Sequence, residues 1–194
     1  ARRGRRLIGV GALAIALIPA TAYADAARPT EWRSEIVSVA PPTDVLDVSI
    51  EGGDAFVRIE VERGHEVVVE GYTGEPYLWI DGEGAVRENR RSPAAYLNRD
   101  MSGTASVPPE ADPAADPDWE RIGDGGSWSF HDHRAHYMGG APPQDMRPGE
   151  SLPETRIAIT VDGTPTVINV RTTLAGSPSP WPAVLGVLIG LALA

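Results

Sequence analysis

The chain of 194 residues contains no cysteine and no lysine, and each absence narrows what it can be. Without cysteine there is no disulfide, no thiolate metal ligand and no cysteine nucleophile. A blue-copper centre of the cupredoxin kind is excluded as well, because it needs a cysteine ligand. All 17 basic residues are arginine, and the formal net charge is −10. Such an acidic chain repels phosphate backbones, so we expect no nucleic-acid partner.

Long hydrophobic runs are scarce, and the first of the two has the three parts of a secretory signal peptide. Four arginines fall within the first six residues, an apolar stretch follows from Leu7 to about Pro19, and Ala22-Tyr23-Ala24 forms a small-residue cleavage site. The stretch is too short to span a bilayer comfortably. We therefore predict that residues 1–24 are a signal peptide cleaved near Ala24. The Arg5-Arg6 pair leaves the twin-arginine and the general secretory export routes both open.

The second hydrophobic run stands at the other end of the chain. Residues 177–182 form a Pro/Ser spacer, and residues 183–194 are apolar and uncharged. These twelve residues cover roughly 18 Å as a helix, against a bilayer core of about 30 Å. We expect them to be the start of a truncated, single-pass transmembrane helix, with the domain of residues 25–176 on the extracytoplasmic side of the cell membrane. The alternative is a short hydrophobic tail that packs on the domain.

The body of the chain shows a two-residue hydrophobic period, which is typical of β-strands. Apolar and polar residues alternate on both sides of Gly52-Gly53 and of Asp162-Gly163, and each pattern predicts a hairpin. Further strands are predicted at 67–69 and 77–80, and no segment has a convincing helical period. The fold class that follows is mainly β, an antiparallel sandwich or a small barrel.

Residues 88–126 interrupt this pattern with a polar, Pro/Gly-rich sequence. The sequence predicts a long polar loop region here, and loops of that length are usually functional or mobile. Its carboxylates do not have the spacing of an EF-hand loop, so we interpret them as a solvated acidic surface. They are Glu110, Asp112, Asp116, Asp118, Glu120 and Asp124.

A histidine cluster carries the clearest chemical signal. His131, His133 and His136 fall within six positions, and Met138 follows. If the segment is a strand, His131 and His133 project from one face about 6.6 Å apart, so their rings can converge on one ion. Imidazole suits copper and zinc, a thioether adds a preference for Cu(I), and Asp132 would orient a ring. The four residues are therefore candidate copper or zinc ligands. The alternative is a hydrogen-bonded structural or interaction cluster without metal.

Three strings of sequence also carry a family resemblance. They are Gly74-Glu75-Pro76-Tyr77-Leu78, Arg91-Ser92-Pro93-Ala94-Ala95-Tyr96-Leu97-Asn98 and His131-Asp132-His133-Arg134-Ala135-His136-Tyr137-Met138. In these strings the chain resembles a group of uncharacterised actinobacterial exported membrane proteins. The resemblance implies a signal peptide, an exoplasmic β-domain and one C-terminal transmembrane helix, and it implies no activity.

The motifs of common enzyme classes are absent from the sequence. There is no Gly-x-Ser-x-Gly elbow and no phosphate-binding glycine loop, and His65-Glu66 begins a metalloprotease motif that Val69 breaks. We therefore expect a protein that is not an enzyme. The leading hypothesis is a membrane-anchored binding or interaction module of the cell envelope, with residues 88–150 facing an envelope protein partner. A copper or zinc binding protein is the second hypothesis, and a hydrolase with dispersed carboxylates is the third.

Overall fold

A computed structural model describes residues 30–101, 103–176 and 179–193. The predicted signal peptide, residues 1–24, lies outside these ranges. Within them the chain forms ten strands and two helices: β1 (Trp32–Ala40), β2 (Leu46–Glu51), β3 (Phe56–Val61), β4 (Val67–Glu70), β5 (Pro76–Ile80), β6 (Val86–Asn89), α1 (Ala94–Leu97), β7 (Trp119–Gly123), β8 (Ser127–Phe130), β9 (Thr155–Val161), β10 (Thr164–Leu174) and α2 (Trp181–Leu193).

The strands form two antiparallel sheets. The larger has seven strands in the order β1-β10-β9-β4-β5-β6-β7, and the smaller has three in the order β2-β3-β8. Buried side chains from both sheets, such as Ile59 and Phe130 from the smaller and Val69 and Ile157 from the larger, belong to one hydrophobic core. The mainly β prediction is confirmed. Neither sheet closes into a barrel in the described ranges, so the arrangement is sandwich-like rather than the small barrel that the sequence also allowed.

Both predicted hairpins are confirmed. Strands β2 and β3 pair from Leu46 opposite Val61 to Glu51 opposite Phe56. Strands β9 and β10 are joined by Asp162 and Gly163 alone, and both residues have positive φ, 47° and 77°. Two successive positive φ values define the turn type whose twist matches that of the flanking strands. The local sequence Asp-Gly therefore sets the register of this hairpin.

Burial along the strands follows the two-residue period of the sequence. In β3, Val57 and Ile59 are fully buried, whereas Arg58 and Glu60 lie on the opposite face. In β10 every second residue from Thr166 to Leu174 is buried. Successive side chains of a strand point to opposite faces, so the alternation delivers one apolar face to the core. Each fully buried Val or Ile side chain stabilises the folded state by about 1.5–3 kcal/mol relative to an exposed one.

The prediction of one long loop over residues 88–126 is wrong in part, because β6, α1 and β7 all place residues inside it. Asn89 explains why the two ends of this region pair. Its side chain is buried, its Nδ2 donates to the Pro76 carbonyl at 2.7 Å, and its Oδ1 accepts from the backbone N–H groups of Arg91 and Asp118 at 2.9 Å. These tertiary hydrogen bonds hold β7 beside β6. The carboxylates named above are exposed, as predicted.

The C-terminal helix α2 is apolar around its whole circumference. Side chains on every side of it are exposed, including Leu185 at 58%, Leu188 at 57% and Leu191 at 72%. The alternative of a docked hydrophobic tail requires the helix to pack on the β-domain, and this exposure shows that it does not. Among the described residues, none of the helices combines the length and the apolar character needed to cross a membrane.

The turn between β5 and β6 closely approaches the turn between β7 and β8, which connects the two sheets, at Gly84. The Gly126 amide donates to the Gly84 carbonyl at 2.9 Å, and a Cβ on Gly84 would lie 2.9 Å from the Gly126 nitrogen. Real Cβ atoms are essentially never that close to backbone, so only glycine fits here. Gly84 and Gly74 share the same φ of 88°, but nothing lies within 4 Å of a Cβ placed on Gly74.

These two glycines form a matched pair for a stability test. Gly74→Ala should cost about 1–2 kcal/mol, the penalty of a left-handed conformation. Gly84→Ala should cost about 1–3 kcal/mol more, because the contact with Gly126 must also open. Urea unfolding of the two variants, followed by tryptophan fluorescence, measures the difference. Equal losses in the free energy of unfolding would show that the two turns are not in the described contact.

Candidate functional site

The three strings that carry the family resemblance lie far apart in the sequence but meet in the structure. Glu75 connects the first string to the second: its buried carboxylate accepts from the Ser92 hydroxyl at 2.6 Å and from the Thr73 hydroxyl at 2.7 Å. Burial by itself would raise the pKa of Glu75, but these hydrogen bonds outweigh it and lower the pKa. The carboxylate is therefore an ionised, fully engaged structural group.

Tyr72 connects the second string to the third. Its hydroxyl donates to Asn98 Oδ1 and accepts from the backbone N–H of His133 at 3.1 Å. Burial raises the pKa of Tyr72 far above its ordinary value, so the hydroxyl keeps its proton and acts as this donor. Tyr72 and the three strings together are called the three-segment cluster below.

The histidine segment is not a strand, which corrects the geometry expected from the sequence. Strand β8 ends at Phe130, and the next residues turn, with the Ala135 N–H donating to the Asp132 carbonyl at 2.9 Å. The turn forms because the Asp132 carboxylate accepts from the backbone N–H of Arg134 at 2.9 Å and from its guanidinium at 2.7 and 2.9 Å. Asp132 thus binds Arg134, whereas the sequence suggested that it orients an imidazole.

The Asp132–Arg134 ion pair lies inside the protein. The Asp132 side chain has no exposed surface, and that of Arg134 is 17% exposed. The guanidinium also donates to the Glu70 carbonyl at 2.9 Å and stands 5.0 Å from the centre of the Tyr72 ring. These contacts provide hydrogen-bond partners for both charged groups. A buried ion pair is tolerated only when its groups have such partners.

The three imidazoles lie close together. The ring centre of His131 is 5.1 Å from that of His133 and 4.9 Å from that of His136. His131 is buried, and its Nδ1 lies 2.6 Å from the Ala55 carbonyl. A carbonyl only accepts, so Nδ1 carries the proton. Burial lowers the pKa of His131, which keeps the ring neutral near pH 7 and leaves Nε2 as an acceptor. That Nε2 has no hydrogen-bond partner.

The other three predicted metal ligands, His133, His136 and Met138, lie in different surroundings. His133 Nε2 lies 2.9 Å from the Asp100 carbonyl. His136 Nδ1 stands 3.0 Å from a carboxylate oxygen of the fully buried Asp54, at ion-pair distance but outside hydrogen-bonding geometry. Met138 is exposed, and a Cβ added to Gly103 would lie 2.7 Å from its methyl group and 3.9 Å from Cε1 of His133, so both side chains approach Gly103.

The structure thus brings the three histidine rings together, and Met138 and His133 both approach Gly103. In residues 30–101, 103–176 and 179–193, no three His, Asp or Glu side chains form a group that could hold a metal ion. The copper or zinc site stays a prediction. Sequence reasoning missed Asp54 and Tyr72, which contact His136 and His133 from more than 60 positions away, and Asn98, which is linked to the histidine segment through Tyr72. The only signal for Tyr72 and Asn98 was that they flank or belong to the strings of the resemblance.

A partly open cavity of about 230 Å³ lies beside the three-segment cluster. Each of the three strings contributes to its lining, with Tyr77, Asn98 and His131. Glu88 is the one carboxylate among the described lining residues; burial raises its pKa, and it pairs with Arg99 at 3.1 Å. The facing carboxylates of the hydrolase hypothesis are therefore not found in this cavity, and that hypothesis stays a prediction.

Comparison with models of protein families, with curated proteins and with solved structures gave no match. The resemblance to actinobacterial exported membrane proteins accordingly stays a prediction.

The ion pair that shapes the histidine segment gives a direct test. Asp132→Asn removes one charge and leaves Arg134 buried without a counter-ion, which should destabilise the fold by about 3 kcal/mol. The matched control is Asp124→Asn, which breaks an ion pair with Arg121 in which both side chains are more than half exposed. That change should cost less than about 1 kcal/mol. Urea unfolding measures both, and similar small losses would contradict the structural role of Asp132.

Proposed function

We propose that this chain is a membrane-anchored, extracytoplasmic binding or interaction module of the cell envelope. The observation that carries the proposal is the contrast between α2 and the β-domain. Of the ten large hydrophobic side chains exposed in the described ranges, seven belong to α2. A helix that is apolar on all sides requires an apolar environment, which a lipid bilayer supplies.

The β-domain itself has the character of a water-exposed module. Its apolar side chains form one internal core, and its exposed large hydrophobics are the scattered residues Val37, Val107 and Met138. Single exposed apolar side chains are ordinary on soluble surfaces. The domain is therefore suited to water, while α2 is suited to lipid.

The proposed contact surface is the polar region of residues 88–150. Its irregular parts, 98–101, 103–118 and 138–150, are mostly exposed, and they flank the three-segment cluster. Binding residues often lie on loops held by a rigid scaffold, and here the buried polar cluster provides that scaffold. An envelope protein is the partner that this surface and the proposed location suggest.

Anchoring can be tested in bacterial cells that produce the full chain. We expect the wild-type protein in the membrane fraction, with its β-domain digested by protease added outside spheroplasts. Arginine in the apolar part of a membrane helix is unfavourable, by up to about 2.5–3.5 kcal/mol at the helix centre, so the double variant Leu185→Arg, Leu188→Arg should move to the soluble fraction. The matched control, Leu185→Val with Leu188→Val, should stay in the membrane. A wild-type protein in the cytosol that retains residues 1–24 would overturn the proposal.

The second candidate function is copper or zinc binding by His131, His133, His136 and Met138. The close approach of the three rings and the free Nε2 of the neutral His131 favour it. Two ring nitrogens already lie against backbone carbonyls, so a metal would have to displace contacts that now hold the rings.

Titration of the full chain with Cu(II) and with Zn(II) tests this candidate. If it is correct, binding should be tighter than millimolar, at least about tenfold weaker in His131→Ala and in His133→Ala, and weaker below pH 6, where imidazoles bind protons. His65→Ala is the control, because His65 pairs with Asp162 elsewhere on the surface. If all three variants bind the metal as tightly as the wild-type chain does, the metal-binding function is excluded.

A further inference from the structure

The edge strands of the two sheets differ in how they are protected from pairing with another chain. An open strand edge invites such pairing, and proteins block it with charged residues, prolines and bulges. The edge strands β1, β2 and β7 all carry charged residues, and the pairings of β1 and β7 also shift register. Strand β8 has the sequence Ser-Trp-Ser-Phe and pairs with β3 in unbroken register. Among the edge strands that the structure describes, β8 is therefore the one without these protections.

The pairing of β8 with β3 shows where the free backbone groups of β8 point. Residues of an antiparallel pair alternate between exchanging hydrogen bonds with the opposite residue and exchanging none. Just before β8 begins, the Val61 N–H donates to the Gly126 carbonyl at 2.8 Å, which makes these two a bonded pair. Counting from this pair, the backbone groups of Trp128 face β3, whereas those of Ser127 and Ser129 point away from it. In the described part of the chain, no second strand pairs with β8 on that side.

The cavity of about 230 Å³ lies along this free edge. Trp128, Ser129 and Phe130 all line it. Successive side chains of a strand point to opposite faces, so a cavity that touches three in a row follows the edge of the strand and not one face. Arg99 and Met101, which follow α1, line it as well. An extended segment paired with β8 would thus place a side chain in this cavity.

The cavity suits an apolar side chain. Its volume of about 230 Å³ exceeds that of an apolar cavity that accepts benzene, about 150 Å³. Phe56, Trp128 and Phe130 supply aromatic surface. The charged lining residues Glu88 and Arg99 pair with each other at 3.1 Å, so neither requires a charge on the side chain that enters. A phenylalanine or leucine side chain meets these conditions.

The surface beside this edge carries more negative than positive charge. The Glu51 carboxylate accepts from the Ser129 hydroxyl at 2.7 Å, which places it next to β8. Arg58 lies 4.0 Å from the Glu51 carboxylate and 2.6 Å from that of Glu60, and both carboxylates are about half exposed. Two carboxylates thus share one guanidinium, on a chain of net charge −10. Charge complementarity therefore favours a basic partner.

We propose that β8 binds an extended, basic peptide segment of an envelope protein by antiparallel strand addition, with one phenylalanine or leucine side chain in the cavity. The segment's residue opposite Trp128 points inward, and its two neighbours exchange backbone hydrogen bonds with Ser127 and Ser129 and point outward. The recognised pattern is therefore basic, apolar, basic. A second copy of β8 cannot supply it, because its Trp128 and Phe130 already pack in its own core.

This inference rests on the proposed function in that it names the chemistry of the partner, and it does not depend on where the protein is located. Nuclear magnetic resonance of the full chain in detergent tests it with the probe acetyl-Thr-Arg-Phe-Arg-Thr-amide. The Ser129 amide signal reports on the edge and the Trp128 indole signal on the cavity, and Ser129→Ala and Trp128→Phe assign them. Both signals should shift saturably, with a Kd below about 1 mM.

Three altered peptides separate the parts of the proposed contact. Alanine in place of phenylalanine leaves the cavity empty, and N-methylation of both arginines removes the backbone donors that pair with β8. Each change should weaken binding at least about tenfold. Glutamate in place of both arginines should also weaken binding, and this difference should shrink as salt is added, because salt screens exposed charges.

A matched pair of protein variants tests the edge itself. Ser129→Pro removes the N–H that points away from β3 and none of the hydrogen bonds to β3, a position at which strands accept proline. It should weaken probe binding at least about tenfold, whereas Ser129→Ala, which keeps the N–H, should bind within about twofold of wild type. Glu51→Gln should weaken binding about two- to fivefold, and Glu154→Gln, in the exposed pair with Arg171, should not.

The wild-type titrations decide the outcome even if a variant fails to fold. The proposal is overturned if neither signal shifts saturably, or if the alanine and N-methylated peptides bind as tightly as the probe. Self-association that Ser129→Pro abolishes, without peptide binding, would assign the edge to a second copy and overturn it as well. A protein that binds the probe but is found in the cytosol would overturn the membrane location and leave this site in place.

Discussion

The fully buried carboxylate of Asp132 is the constraint on which the rest of this site depends. A buried charge must be neutralised and hydrogen-bonded, and Arg134 does both, two residues further along the chain. The resulting turn ends β8 and directs the following segment back over the sheet. The guanidinium then reaches the Glu70 carbonyl and the face of Tyr72, so one ion pair determines where the histidines and Tyr72 stand.

From this ion pair outward, polar contacts join parts of the chain that share no sequence pattern. Tyr72 links Asn98 to His133, and Glu75 links Ser92 to Thr73. Polar groups with this many buried partners hold a single arrangement, because breaking one contact leaves another group unpaired. Among the described residues, four buried side-chain atoms have no hydrogen-bond partner, and they belong to Asp54, Asn98, His131 and His136, in or beside this network.

The contacts of the three histidines in the fold differ from those that their spacing in the sequence suggested. Their spacing in the sequence suggested convergence on an ion. In the fold, His131 and His133 each direct a ring nitrogen to a backbone carbonyl, and His136 stands beside Asp54. What the rings share is mutual contact and partial burial. Burial lowers the pKa of His131 and keeps that ring neutral near pH 7.

The sequence by itself determined the elements whose cause is local. Alternation of apolar and polar residues specified β2, β3 and β9, and Asp162-Gly163 specified its hairpin, because the side-chain period and the turn conformation need no distant partner. Only the tertiary structure decided that β6 and β7 pair, since the buried Asn89 amide makes the hydrogen bonds that hold them, to Pro76 and Asp118, which are distant in the sequence. It likewise decided the site, because Tyr72, Asn98 and His133 meet through long-range hydrogen bonds that no spacing along the chain encodes.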